Sequence, residues 1–401
     1  MLLVPKITPR MLAMFGSALP RHALRTLKKA PLKAMVYADD AAEPSVCIIR
    51  IGHEIYCCGN VTPEHFARIL TFEVYEKYGA FRFDLRALNR SGRAPDEKDV
   101  LSAVRKHLPE AESAARVPRG YSTYVYRVES SAGRCYARFL PEDASFAAEV
   151  TAHRMMEVAG IRVPRVIAFE HKEEKSGLSM MLAEEIPGVS IEEAWPDHND
   201  GEILREAGRQ LALIHSIPVD GFGWVDRSGY GLLKGEKSSF LEYFDDFLAD
   251  DLVCLRYYGF LDEDQARIRG YMEQARRVLD VPTAALVHGD FDTTHIFHAG
   301  GKFTGFIDFG EIRGNNRLFD LAVFAYNDRS TDRTAYFHLI EGYREAVRLT
   351  DEDLYAAELM ALFILLRFAG KKVTQVEKKP QTDHWYRLLK KQLKRLEDLH
   401  D

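Results

Sequence analysis

The sequence predicts an α+β protein of more than one domain, with a strand-rich stretch followed by a long helical one. Three observations lead there. The chain has 401 residues, more than one hydrophobic core usually supports. Strand-like alternation crowds between residues 121 and 188. From residue 201 onward the chain is mostly helical in pattern, interrupted by a strand-rich island at 285–310. Hydrophobic residues make up 46% and charged residues 28%, an ordinary globular balance that requires no long disordered region.

Residues 1–100 read as a small α/β unit. A helical stretch (10–30) leads to AMVYADD (34–40) and then to VCIIRIGHEIYCCG (46–59), a β-rich run with a turn near Gly52, hence a hairpin. Thr62, Pro63 and Glu64 form a helix start, Thr62 as cap and Pro63 in the first turn, with the helix running to about Lys77. FRFDL (81–85) is another strand, and the polar NRSGRAPDEKD (89–99), with Gly92 and Pro95, reads as a linker.

A second unit opens with a helix, DVLSAVRKHL (99–108). YSTYVYRVES (121–130), a turn at Ser131–Gly133 and CYARFL (135–140) form an antiparallel hairpin by pattern. AAEVTAHRMMEVAG (147–160) is an amphipathic helix closed by Gly160. VPRVIAFEH (163–171) and SMMLAEEIPG (179–188) are two more strands.

Net charge is −6, which argues against nucleic acid as a partner because phosphate-backbone binding needs a basic surface. Residues 1–110 carry 17 Lys and Arg against 12 Asp and Glu, a net of +5 that leaves −11 on the remainder. An acidic body favours cationic ligands or a magnesium nucleotide, though it also serves solubility alone. The cysteines (Cys47, Cys57, Cys58, Cys135, Cys254) are odd in number and show no CxxC spacing. They form neither a disulfide framework nor a zinc site, and a reducing, cytoplasmic setting is expected. No apolar run approaches the ~18 residues of a membrane span. Residues 1–38 contain no acid and seven Lys or Arg around MLAMFGSAL (11–19). That imitates an export signal, but Arg21, Arg25, Lys28 and Lys29 follow at helical spacings and no clear cleavage site appears.

The segment that carries chemistry is LVHGDFDTTHIF (286–297) followed by FTGFIDFG (303–310). It holds His288-Gly289-Asp290, then His295 five residues after the aspartate, then Asp308-Phe309-Gly310 beyond a Gly300–Gly301 turn. Phosphoryl transfer needs an acceptor hydroxyl held in line and cations on the phosphate oxygens. Two carboxylates delivered by a loop and a tight turn suit those tasks, one facing the hydroxyl and one holding metal.

HGDFDTTH, IDFG and GNNRLFDLA (314–322) resemble, in order and spacing, the HGDxxxxN, IDxG and GDPxxDLA signature of the aminoglycoside-phosphotransferase family. The resemblance spans about residues 115–370. It implies a two-lobed protein-kinase-like fold, with a small β-rich lobe and a large helical lobe, here behind an extra N-terminal α/β domain. It implies ATP or GTP with magnesium as the phosphoryl source. By the resemblance Asp290 orients or deprotonates the acceptor hydroxyl and Asp308 holds magnesium. His295 stands where most members have a metal-binding Asn. Imidazole suits magnesium poorly, so His295 binds one metal weakly, bonds a phosphate, or does neither. His288 braces the loop, and Asp320 of the DLA element stabilises it from behind.

On the nucleotide side, Arg119 to Thr123 sit where the family has its nucleotide-covering turn, and Gly120, Ser122 and Thr123 allow backbone NH groups to approach phosphate. Arg138 matches the strand position of the phosphate-binding Lys, and Glu149 the glutamate that pairs with it. LAEEIPG (182–188) matches the hinge, whose backbone between Glu184 and Ile186 is expected to read the adenine edge. GFGWVDRSGYGLL (221–233) and SSFLEYFDDFLADDL (238–252) resemble the insert of hygromycin-type members. There Asp246 and Asp250, with Glu242, Asp245 and Asp251, are candidates for an acidic wall against a polyamine or amino sugar, or for a solvated helix face. GHEIYCCGN (52–60) faintly resembles the N-terminal half of GNAT-type acetyltransferases, without the Gly-rich acetyl-CoA loop.

The expected organisation is an appendage (1–98), a nucleotide lobe (99–187) and a helical lobe with the catalytic loop and acceptor site (188–401). The expected activity is phosphoryl transfer to a small, cationic, hydroxyl-bearing acceptor. Choline-, homoserine-, fructosamine- or macrolide-type acceptors and an inactive nucleotide sensor are the alternatives.

Overall fold

The computed structural model describes strands Leu2–Val4, Ala34–Ala38, Val46–Ile51 and Glu54–Gly59. Beyond these it describes residues 94–118, 123–141, 144–195, 200–227, 232–328, 332–372 and 383–399. The expected helices at 10–30 and 62–77, the strand at 81–85, and Gly120 and Ser122 lie outside these residues. The chain divides into two compact units, Met1–Phe83 and Asp84–Asp401.

In the first unit β1 (Leu2–Val4), β2 (Ala34–Ala38), β3 (Val46–Ile51) and β4 (Glu54–Gly59) form an antiparallel sheet in chain order. The β3–β4 hairpin closes with Ile51 opposite Glu54, and Cys47, which is buried, lies opposite Cys58.

The second unit begins with α1 (Glu97–Arg105), two residues earlier than the pattern suggested, with Asp96 at its N-cap position. β5 (Ala111–Arg116), β6 (Tyr124–Ser130), β7 (Gly133–Phe139), β8 (Val166–Glu170) and β9 (Met180–Glu184) make an antiparallel sheet in the order β5-β6-β7-β9-β8. Alternation decides its faces: Tyr126, Val128, Cys135, Ala137 and Phe139 point to one side and pack on Val100 and Val104 of α1. Each fully buried aromatic or aliphatic side chain contributes about 1.5–3 kcal/mol. On the other face, α2 (Ala147–Val158) ends at Gly160, whose φ of +74° suits a residue without Cβ. Phe146 and Val150 pack there on Leu140 and Met181.

Past the hinge come β10 (Val189–Ser190), α3 (Asp200–Ile214), β11 (Pro218–Val219), β12 (Phe222–Val225), β13 (Gly235–Lys237), α4 (Phe240–Asp245), α5 (Leu248–Cys254) and α6 (Asp262–Val278). Then follow β14 (Ala284–Val287), β15 (Ile296–Ala299), β16 (Lys302–Phe306), β17 (Arg313–Asn315), α7 (Leu318–Asn327), α8 (Thr334–Ala346), α9 (Asp351–Lys372) and α10 (His384–Asp398). The acidic insert is not one helix: Asp246 ends α4, and Phe247, left-handed at φ 60°, opens α5. The strand-rich island splits between two small sheets, β10-β15-β16 and β11-β14-β17-β12-β13. Apolar α9, buried at every position from Ala356 to Leu366, is the axis of the helical part. Among the described residues no helix is long and apolar enough to cross a membrane.

Candidate active site

The loop between β14 and β15 carries His288-Gly289-Asp290, and the turn after β16 carries Asp308. Chain chemistry forces them together. Gly289 has φ +86°, and a Cβ there would stand 2.0 Å from the Glu311 carbonyl oxygen, so only glycine lets the loop pass this close to the following turn. Asp308 itself is left-handed at φ 62°, a conformation that Asp tolerates better than most residues. It precedes a short 3-10 turn, Phe309–Glu311.

Behind the loop lies a buried polar network. Asp320, wholly buried on α7, accepts the His288 amide (2.7 Å) and the Gly289 amide (2.9 Å) on its two oxygens. His215, at the end of α3, donates Nε2–H to the same carboxylate (3.0 Å), and its Nδ1 shares a hydrogen bond with the Tyr343 hydroxyl (3.0 Å). Burial would raise the Asp320 carboxyl, but the His215 hydrogen bond and charge, with the Gly289 amide, outweigh it and hold it below the usual range. His288 donates Nε2–H to the Ile307 carbonyl (2.9 Å), tying the loop to the strand that leads into Asp308. Burial, reinforced by nearby His295, pushes the His288 imidazole down, so it stays neutral. Phe309 is buried edge-on to His153 (5.1 Å between centroids) and against His288 (4.7 Å).

In front of the loop the polar groups face outward. The Asp290 side chain is exposed and makes no hydrogen bond among the described residues. Its backbone carbonyl accepts from His295 Nδ1 (2.7 Å). A carbonyl only accepts, so Nδ1 carries a proton, and it is the neutral form of the ring that keeps a lone pair on Nε2. That Nε2 stands 3.9 Å from Asp308 Oδ2. Asp308 is 48% exposed, and its Oδ1 lies 3.4 Å from Arg138 Nη2. Burial opposes ionisation of Asp308, but the Arg138 guanidinium beside it holds the carboxyl below its ordinary value. Arg138, on β7, also ion-pairs with Glu149 of α2, and both side chains are nearly buried. One guanidinium therefore links strand, helix and the Asp308 turn, as a planar fork can.

The Asp308 carboxylate fits a magnesium ion that would arrive with phosphate oxygens and waters, because magnesium uses one or two carboxylates in such sites, whereas the His295 imidazole beside it is a poor magnesium ligand. No group of three or more His, Cys, Asp or Glu gathers into a metal cage among the described residues. At the hinge the Glu184 amide donates to Arg165 O (2.9 Å) and the Glu185 amide to Arg134 O (3.2 Å). The Glu184 carboxylate is held by Arg165. The amide of Ile186 lies beyond that pairing, and Thr123 stands one residue before β6.

The chain matches a model of the phosphotransferase enzyme family (APH) over residues 113–357. The chain belongs to this family. Among curated relatives it is 23% identical over 237 residues to an aminoglycoside 3'-phosphotransferase of Streptomyces fradiae, across 56% of this chain and 83% of that protein. It is 26% identical over 183 residues to a homoserine kinase of Sinorhizobium medicae, across 44% of this chain and 53% of the kinase. Among solved structures, aminoglycoside phosphotransferase APH(4)-Ia in ternary complex with AMP-PNP and hygromycin B superposes with a TM-score of 0.54. It shares 13% identity and covers 75% of this chain and 97% of that one. The phosphotransferase thus has the two-part, kinase-like fold, with a β-rich sheet before a helical C-terminal part.

Among the described residues, Glu242, Asp245 and Asp246 of the acidic insert spend their carboxylates elsewhere. Glu242 caps its own helix, accepting from Ser238 N (2.9 Å) and Oγ (2.7 Å). Asp245 pairs with Arg276 (2.7 Å) and Asp246 with Lys237 (3.2 Å), while Asp251 is 1% exposed. Asp250 is partly buried, and burial raises its carboxyl. Sequence reasoning missed His215, a lone histidine in LALIHSIP with no motif around it. It also missed Arg313, whose guanidinium stacks on Trp224 (3.8 Å) beside the Gly289 loop.

Proposed function

We propose that this phosphotransferase moves the terminal phosphoryl group of ATP or GTP, as its magnesium complex, to a hydroxyl of a small, cationic, aminoglycoside-like acceptor. The observation that carries this reading is the division of labour around His295. The Asp290 backbone carbonyl takes one nitrogen of the ring while its exposed carboxylate makes no hydrogen bond among the described residues, and the Asp308 carboxylate lies 3.9 Å from the other nitrogen, beside Arg138. Asp290 accepts the hydrogen bond of the incoming hydroxyl and orients its oxygen; a loose transition state asks for no stronger base. Arg138, held by Glu149, takes phosphate charge. Asp308, with His295 beside it, holds the magnesium, which supplies charge neutralisation on the phosphate oxygens. The hinge backbone from Glu184 to Ile186 takes the adenine or guanine edge, and the turn with Gly120, Ser122 and Thr123 covers the phosphates.

In this reading residues 99–187 hold the nucleotide, 188–401 the acceptor, and 1–98 form an appendage to the transferase. The cationic preference is supported by the −11 charge beyond residue 110. A small cleft near the catalytic loop, lined by Glu192, Trp195, Asp292 and Asp328, points the same way. Asp246 is engaged by Lys237, which leaves Asp250 as the acid of the insert assigned to the acceptor in this reading.

The test is a nucleotide-consumption assay of the full chain against amino sugars, choline, homoserine, fructosamines and macrolides. Turnover confined to polycationic acceptors supports the reading. Turnover on a neutral or zwitterionic acceptor alone moves the assignment to that class. Nucleotide binding with no turnover on any acceptor favours the nucleotide-sensor alternative.

A further inference from the structure

The segment after β12 contains an arginine whose contacts span both parts of the site. Arg227 donates from its guanidinium to the Gly310 carbonyl, in the turn that Asp308 opens. Its own backbone carbonyl accepts the Ser145 amide (3.1 Å), two residues before the helix that carries Glu149. A single residue of the helical part therefore holds the Asp308 turn with its side chain and the start of α2 with its main chain.

The turn it holds is tightly fitted. A Cβ at Gly310 would come within 3.3 Å of Asp308 Oδ1 and 3.5 Å of Arg138 Nη2, so the backbone of residue 310 lies directly under the Asp308–Arg138 pair. A shift of that peptide moves the carboxylate. Asp308 is held from the other side by few groups: Arg138 at 3.4 Å and His295 at 3.9 Å. With φ positive at 62°, its backbone sits in a shallow minimum that the flanking turn must maintain.

We propose that Arg227 is a positioning residue for phosphoryl transfer, clasping the Asp308 turn against the glutamate-bearing helix so that the carboxylate meets a nucleotide-borne magnesium in one orientation. The inference rests on the reading of Asp308 as the magnesium-side carboxylate. Arg138 and Arg227 then act as paired ties across the same gap. Arg138 reaches from β7 to Glu149 and Asp308, and Arg227 reaches from the helical part to Gly310 and Ser145. Only the Arg227 guanidinium is removed by substitution, because the Ser145 bond uses its main chain.

The experiment is calorimetric titration of ADP into the full chain, with EDTA and with magnesium, for wild type, Arg227→Ala, Arg227→Lys, Asp308→Ala and the Arg227→Ala/Asp308→Ala pair. The expected result is that Arg227→Ala leaves metal-free ADP affinity within about two-fold and cuts the magnesium enhancement about ten-fold, the size expected for one charge-assisted hydrogen bond. Arg227→Lys, which keeps a donor, recovers part of it. In the Asp308→Ala background the second substitution adds nothing, because both act through one carboxylate. If Arg227→Ala lowers metal-free and magnesium-bound affinity equally, or lowers neither while Asp308→Ala abolishes the enhancement, the positioning role is overturned and Asp308 keeps its own. If Asp308→Ala leaves the magnesium enhancement intact, the underlying reading of Asp308 fails, and this inference with it.

Discussion

The two faces of the catalytic loop are built in opposite ways. Behind it, Asp320 is wholly buried and accepts three hydrogen bonds, and His215, Tyr343 and His288 have their ring or hydroxyl groups matched. In front of it, Asp290 has no side-chain partner among the described residues, and Asp308 is half exposed beside Arg138. Each buried acceptor behind would cost on the order of 1–3 kcal/mol if left unpaired, so that face admits one arrangement. The front leaves the Asp290 carboxylate unspent on the fold. On the proposed reading, stiffness and reactivity are carried by different aspartates, and the contrast separates the expected effects of substitution.

The largest effect belongs to the front. Asp290→Asn should lower turnover about 10²–10⁴-fold while leaving the melting temperature unchanged, because its side chain bonds nothing in the fold. A melting shift of many degrees would place Asp290 with the structural group. Next comes the back. Asp320→Ala should cost about 3–5 kcal/mol in denaturant unfolding, the range for breaking a buried charged network, and should lower turnover only through loss of the folded population. Turnover loss in a variant of wild-type stability would contradict the division.

The third effect is pH. Asp320 has a folded-state carboxyl held below its unfolded value of about 3.9. The stabilisation is therefore fully present above that value and is lost as pH falls through the lower folded one. Unfolding midpoints measured from pH 6 down to pH 2 should fall steeply below about pH 4 in the wild type and less steeply in Asp320→Asn. Parallel curves would remove Asp320 from the account of acid sensitivity. The smallest effect is that of His295→Asn. An amide oxygen suits magnesium better than imidazole does, so the variant should keep activity and lower the manganese-to-magnesium activity ratio. An unchanged ratio, with a changed melting temperature, would leave His295 as a brace of the Asp290 carbonyl alone.

Much of this was legible in the chain because it is local. The hairpin of β6 and β7 announces itself by alternation, and α2 by its period and its closing glycine. Asp290, His295 and Asp308 lie within one short stretch whose order is specific. What stayed hidden depends on distance or on a local rule being broken. His215 bonds an aspartate 105 residues away, and nothing near it in sequence marks that partner. β5, AESAAR, has weak strand propensity and forms because it pairs along β6. The acidic insert follows a helical period, yet Phe247 adopts a left-handed backbone that no pattern of hydrophobicity signals. Its acids drew attention by composition, and most proved to have cations or caps of their own.

The most direct measurement of the central claim is nucleotide affinity, with and without magnesium, for Asp290→Asn and Asp308→Ala side by side. The account predicts that Asp290→Asn binds nucleotide as the wild type does under both conditions, having lost only turnover. It predicts that Asp308→Ala binds metal-free nucleotide normally but gains little from magnesium. Equal loss of nucleotide affinity in both variants, or a magnesium enhancement that survives removal of Asp308 and vanishes with Asp290, would contradict the assignment of the two carboxylates.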